Sequence, residues 1–138
     1  MSENQSTKHL EMLQASITRM AGYSFVAKGW SVTLTTAVLG LAAKDGSGVY
    51  LLVGALAIVL FWLIDAYYLS LERGFRTLFK AAVARREADL SETFDMAPAS
   101  GLAARVEAAF RPAVLMVHLT LLAAIGIAGL LLDRVSPG

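Results

Sequence analysis

Cysteine is absent from the 138 residues, which removes disulfides, thiolate metal sites and cysteine nucleophiles. Histidine occurs only as His9 and His118, too few and too far apart in sequence to read as a metal site. There is no Gly-rich phosphate loop, no HExxH and no nucleophile elbow. No catalytic residue, no metal and no cofactor are therefore assigned, and an enzyme is not expected. Charge is scarce too: 17% of the residues are charged, against about 25% in soluble domains. The start, MSENQSTKHLEMLQ, lacks the basic start followed by an apolar run that a secretory signal needs.

What replaces charge is apolar surface, at 57% of the residues, more than one small soluble core can hide. Crossing about 30 Å of hydrocarbon takes about 20 helical residues. Residues 49–69, VYLLVGALAIVLFWLIDAYYL, are the clearest span, and 112–132 follow, with Pro112 in the first turn where its missing N–H costs least. Residues 25–43 form a weaker span containing Lys28, Ser31, Thr33, Thr35 and Thr36, joined to the next by the tight turn KDGSG. The expected fold class is an all-α membrane protein with three transmembrane helices, a single membrane domain over 1–138.

Basic residues orient it. Arg73, Arg76, Lys80, Arg85, Arg86, Arg105 and Arg111 lie between the second and third spans, with only Lys44 and Arg134 opposite. The positive-inside bias puts that connector in the cytoplasm, the N-terminus inside and the C-terminal DRVSPG outside, in the inner membrane of a bacterium-like cell. Before the first span, Leu10, Leu13, Ile17, Met20 and Tyr23 recur at helical spacing, so 6–24 reads as an N-terminal amphipathic cytoplasmic helix. After the second span, Leu71, Phe75, Leu78, Phe79, Ala82 and Val83 trace one face of a long cytoplasmic extension. A helix over 49–87 is about 58 Å long. Residues 70–111 are expected as cytoplasmic helix and loop, with the loop over 88–104 containing SETFDMAPASG.

An ionisable side chain within a span is a functional candidate by default. Lys28, Asp65 and His118 fall at similar depth, and they form a gate or coupling group if Asp65 accepts from Lys28, His118 or Tyr67. Alternatively Lys28 snorkels, Asp65 reaches head-group water and His118 merely packs. Trp30, Trp62, Tyr67 and Tyr68 fit an aromatic belt.

On the first span, Gly29, Thr33, Thr36, Gly40 and Ala43 form a small or polar stripe. It either packs on the second span or lines an ion pathway about a shared axis, with Thr33, Thr36 and Gly40 as pore-lining candidates. Ala124, Gly126, Ala128 and Gly129 give the third helix another close-packing face. Three helices of one chain leave no lumen, so conduction requires a homo-oligomer.

From Arg73 to Arg86 there are five basic residues and no acidic one. They either hold the connector against anionic lipid or form a regulator-binding site, Arg73, Arg76, Lys80, Arg85 and Arg86, for a polyanion. Four copies would carry about twenty charges, with strongly salt-dependent binding.

The amphipathic helix, the KGWSVTL start of a span, the hairpin and the FWLIDAYYLSLERGFRTLF run resemble small SLATT-type membrane effectors of bacterial antiphage defence, Hailong-type membrane subunits in particular. The likeness covers residues 8–83 best; a SLATT unit has two spans, and this chain has a third. The resemblance implies a homo-oligomeric channel, tetramer favoured, in the lipid bilayer, held closed by short single-stranded DNA made by a companion nucleotidyltransferase. Its opening causes membrane disruption and growth arrest. The other reading is a non-conducting membrane scaffold or sensor that recruits a soluble partner.

Overall fold

The computed structural model describes residues 3–88 and 93–135. The first two residues of SETFDMAPASG and the last three of DRVSPG lie outside the described residues. Four helices follow in order: α1 (Glu3–Asp45), α2 (Gly48–Glu87), α3 (Leu102–Ala109) and α4 (Pro112–Val135), with no strand among the described residues. Three of them, α1, α2 and α4, are long and apolar enough to cross a membrane, α1 being the least apolar.

At 1.5 Å per residue α1 and α2 are about 64 and 60 Å long, and they pair along their length as an antiparallel hairpin. The segments read separately at 6–24 and 25–43 are the two halves of the single helix α1. The KDGSG turn closes the hairpin. Gly46 takes the left-handed conformation (φ 66°) that side chains disfavour; its N–H bonds to the Ala42 carbonyl at 2.9 Å, a helix C-terminal cap. Tyr50 then donates to Asp45 Oδ2 across the turn at 3.0 Å.

The hairpin seam is made of small and polar residues. Ser24, Ala27, Ser31, Thr35, Val38 and Ala42 are buried on α1, at the three- and four-residue steps that keep one helix face against a partner. Small side chains let helix axes approach closely. In the N-terminal half the expected face mostly turns inward: Leu13 is buried and Leu10, Ile17 and Met20 are partly buried, while Tyr23 is 45% exposed and His9 and Ser16 are buried beside them.

Beyond the turn the core comprises Val38, Ala42, Leu51, Ile58 and Ile125, one contiguous cluster from α1, α2 and α4. Gly54 sits where the three helices meet: a Cβ there would lie 2.8 Å from Val38 Cγ1 and 3.1 Å from Ile125 Cδ1. The close-packing face expected on α4 is mostly used within the chain. Ala128 packs on the core cluster and Gly129 faces Leu51 Cδ1, while Gly126 meets nothing.

At the other end α2 continues unbroken past Gly74. The glycine is required by a crossing chain: its Cβ would meet Pro98 Cβ at 2.8 Å and the Ala99 carbonyl at 3.0 Å. Residues 93–101 form this irregular strap. It is pinned by His9, whose Nε2–H donates to the Asp95 carbonyl at 2.8 Å and whose ring lies 4.6 Å from that of Phe94. The strap ends three residues sooner than the loop expected to 104, because Leu102 begins the short helix α3. Phe110 and Arg111 turn the chain, and α4 opens on Pro112 as the ring's fixed φ favours.

Candidate functional site

Three helices each supply one ionisable side chain to a point inside the apolar bundle. Asp65 on α2 is fully buried. Its Oδ1 accepts a 2.7 Å hydrogen bond from Lys28 Nζ and a short one from the Ser24 hydroxyl; Lys28 also donates to Ser24 Oγ at 2.9 Å. Ser24 and Lys28 are one turn apart on α1, so they reach the same oxygen from one face. Taking a carboxylate and an ammonium out of water costs several kcal/mol per ion in order of magnitude, which only direct pairing offsets.

His118 on α4 completes the group, also fully buried. Its Nδ1 lies 3.9 Å from Asp65 Oδ2, beyond hydrogen-bond range, and instead donates to the Val114 carbonyl at 2.9 Å. Trp62, one turn before Asp65 on α2, stacks on the imidazole with centroids 6.1 Å apart and planes 12° apart, while its Nε1–H donates to the Ala109 carbonyl at 2.9 Å. Among the described residues Asp65 Oδ2, His118 Nε2 and Ser31 Oγ are buried polar atoms without a partner. The cluster is therefore incompletely satisfied, a costly condition in a low-dielectric interior.

Lys28, Asp65 and His118 are thus brought together. Asp65 does not reach water, and Tyr67, the other partner considered, is elsewhere: its ring carries the Arg105 guanidinium at 5.0 Å and meets Tyr68 edge-on at 5.4 Å. Of the aromatic belt, Trp30 is exposed, Tyr68 packs on Tyr23, and Trp62 serves the cluster. Ser24 escaped the sequence reading; the signal was a hydroxyl one turn before Lys28.

The stripe of Gly29, Thr33, Thr36, Gly40 and Ala43 is exposed along its whole length. It does not pack on α2, since the Ser31/Thr35 side of α1 does. Thr33 and Thr36 donate to the carbonyls of Gly29 and Val32 on their own helix, at 3.0 and 2.9 Å, leaving their oxygen lone pairs outward.

The basic stretch of α2 is partly neutralised within the chain. Arg76 reaches Glu72 with Nε at 2.8 Å and Nη2 at 2.7 Å. Arg73 pairs with Glu107 at 2.8 Å, and Arg85 donates to the Thr93 hydroxyl. Lys80 and Arg86 have no ion pair among the described residues. A cleft of about 570 Å³ between α2, the strap and α3 includes Arg73, Arg76, Thr77, Lys80 and Glu107 in its walls. A second, of about 430 Å³ and lined by Gln14 and Thr18 of α1, shares Arg76 and Lys80. Glu107 was also missed; it stands 34 residues from Arg73, a separation at which no local pattern operates.

Comparison with known protein families, with curated proteins and with solved structures finds no match to this chain. The fold and site define a class only by their own geometry: an all-α chain with three membrane-length helices, a buried Lys–Asp–His group and an outlying basic cleft.

Proposed function

We propose that the chain is the subunit of a homo-oligomeric ion channel, regulated by a polyanion at the basic cleft. The observation that carries this is the exposure of the Thr33/Thr36/Gly40 face of α1 beside a seam that buries Ala27, Ser31, Thr35 and Ala42. An outward row of threonines in lipid has little purpose; around a shared axis their oxygens replace part of an ion's hydration. The buried Lys28–Asp65–His118 group, joining all three long helices, is the coupling element. Its unpartnered atoms give an alternative packing something to gain.

The connector of 70–111 and the N-terminus face the cytoplasm in this reading, and the C-terminus the periplasm. The resemblance drawn from the sequence extends it to an antiphage effector, a tetramer controlled by short single-stranded DNA from a companion nucleotidyltransferase. A second reading, a non-conducting scaffold that recruits a soluble partner, is favoured by the two clefts flanking Arg76 and Lys80.

Reconstitution in liposomes with a flux assay tests the channel: ion flux is expected from the purified oligomer, altered by added oligonucleotide. Absence of flux in both conditions overturns it. Under the scaffold reading Arg76→Glu with Lys80→Glu abolishes partner binding and leaves membrane potential untouched.

A further inference from the structure

Glu107 occupies a singular place in the basic cleft. A single oxygen, Oε1, accepts from Arg73 Nη1 at 2.8 Å and from Arg111 Nη2 at 3.1 Å. The two guanidinium groups, Arg73 first, hold its carboxyl below the usual glutamate range. Arg73 belongs to α2 and Arg111 to the α3–α4 turn, so one carboxylate clasps α3 to the long helix. It does so in the wall of the 570 Å³ cleft, beside Arg76, Thr77 and Lys80. Two guanidinium groups converging on one anionic oxygen is also how proteins hold a phosphate.

We propose that Glu107 is a built-in competitor: its carboxylate stands where a phosphodiester oxygen of the regulator binds, and ligand binding exchanges it for phosphate. The inference rests on the polyanion reading above and adds the means of regulation. Exchange releases α3 from α2. That helix ends at Ala109, whose carbonyl holds Trp62, and Trp62 covers His118 beside Asp65. Loss of the clasp therefore reaches the buried group through named contacts, each of which has two states, made or broken. The remaining charges are consistent with a site that is guarded rather than empty of purpose. Arg76 is held by Glu72, and Asp95, also in the wall, is engaged by the Ala97 N–H at 2.9 Å. Lys80 alone among the lining cations has no hydrogen bond or ion pair among the described residues, and it is the natural first contact for an approaching phosphate.

The test is fluorescence anisotropy with the full chain in neutral detergent and a short fluorescent oligothymidylate as probe, over a range of salt. Glu107→Gln is expected to bind about tenfold more tightly than wild type, because the internal anion is gone while the side-chain shape is kept. Its log–log salt slope is expected to steepen by about 0.7, because no displaced carboxylate takes up a counter-cation as the strand binds. Glu107→Asp, which keeps the charge, is expected to bind like wild type. If wild type binds and Glu107→Gln binds equally or less tightly, or if Glu107→Asp tightens binding as much as Glu107→Gln, the competitor is overturned and the polyanion site stands. If neither wild type nor Glu107→Gln binds, the polyanion reading falls as well.

Discussion

Lys28–Asp65 and Arg73–Glu107 join helices at nearly the same distance, 2.7 and 2.8 Å, yet they live under opposite conditions. Asp65 is sealed between α1, α2 and α4, with no exposed side-chain surface. Glu107 is 61% exposed, and water screens everything it does. A buried pair resists disruption, because separating it strands a charge in low dielectric, whereas an exposed pair exchanges partners at little cost. The first suits a coupling element that must hold helices in one of two packings; the second suits a ligand-exchangeable clasp. The same chemistry thus differs in its resistance to disruption by depth alone.

Substitutions at the two pairs should separate accordingly. Asp65→Ala leaves Lys28 Nζ without its counter-ion and should destabilise the fold by about 3–5 kcal/mol, the cost of breaking a buried pair, measured by thermal unfolding in detergent. A loss no greater than that of an exposed substitution would mean the group is hydrated. Gly54→Leu comes next: its side chain must displace Val38 and Ile125, an overpacking expected to cost about 1–3 kcal/mol. Gly40→Leu, on the outer stripe with no atom near its absent Cβ, should leave unfolding unchanged and shrink the detergent-solubilised particle. Thr33→Val with Thr36→Val should likewise spare unfolding, since both hydroxyls bond only their own helix, while lowering ion flux.

The smallest effect belongs to Glu107. At neutral pH, Glu107→Gln should lower the unfolding temperature only slightly, and the difference should depend on pH. Because its folded carboxyl is held low, the clasp's contribution is complete above the ordinary glutamate range, about 4.3, and is lost as pH falls through the lowered folded value. Wild type and Glu107→Gln should therefore converge in acid. A gap that widens in acid would show that another group holds α3.

The buried side of this division was legible from sequence. Asp65, Lys28 and His118 stand out because ionisable residues interrupt apolar runs, and KDGSG announces the hairpin through its glycines. Ser24 and Glu107 were not legible. Ser24 lies 41 residues from Asp65, and its role depends on which face of α1 turns inward. Leu10, Leu13, Ile17 and Met20 mark that face correctly but only in outline, since the polar His9 and Ser16 are buried on it as well. Gly74, a weak point for a helix by propensity, is kept by a strap whose crossing no local pattern foretells.

The central claim is that the outward threonines of α1 face water around a shared axis. The chain's lack of cysteine permits a direct measurement: the conductance of reconstituted Thr36→Cys before and after a charged methanethiosulfonate reagent. A channel lined by this face should lose most of its current on labelling, with the untreated variant conducting like wild type. Complete labelling with current unchanged, or no current from wild type at all, would contradict it.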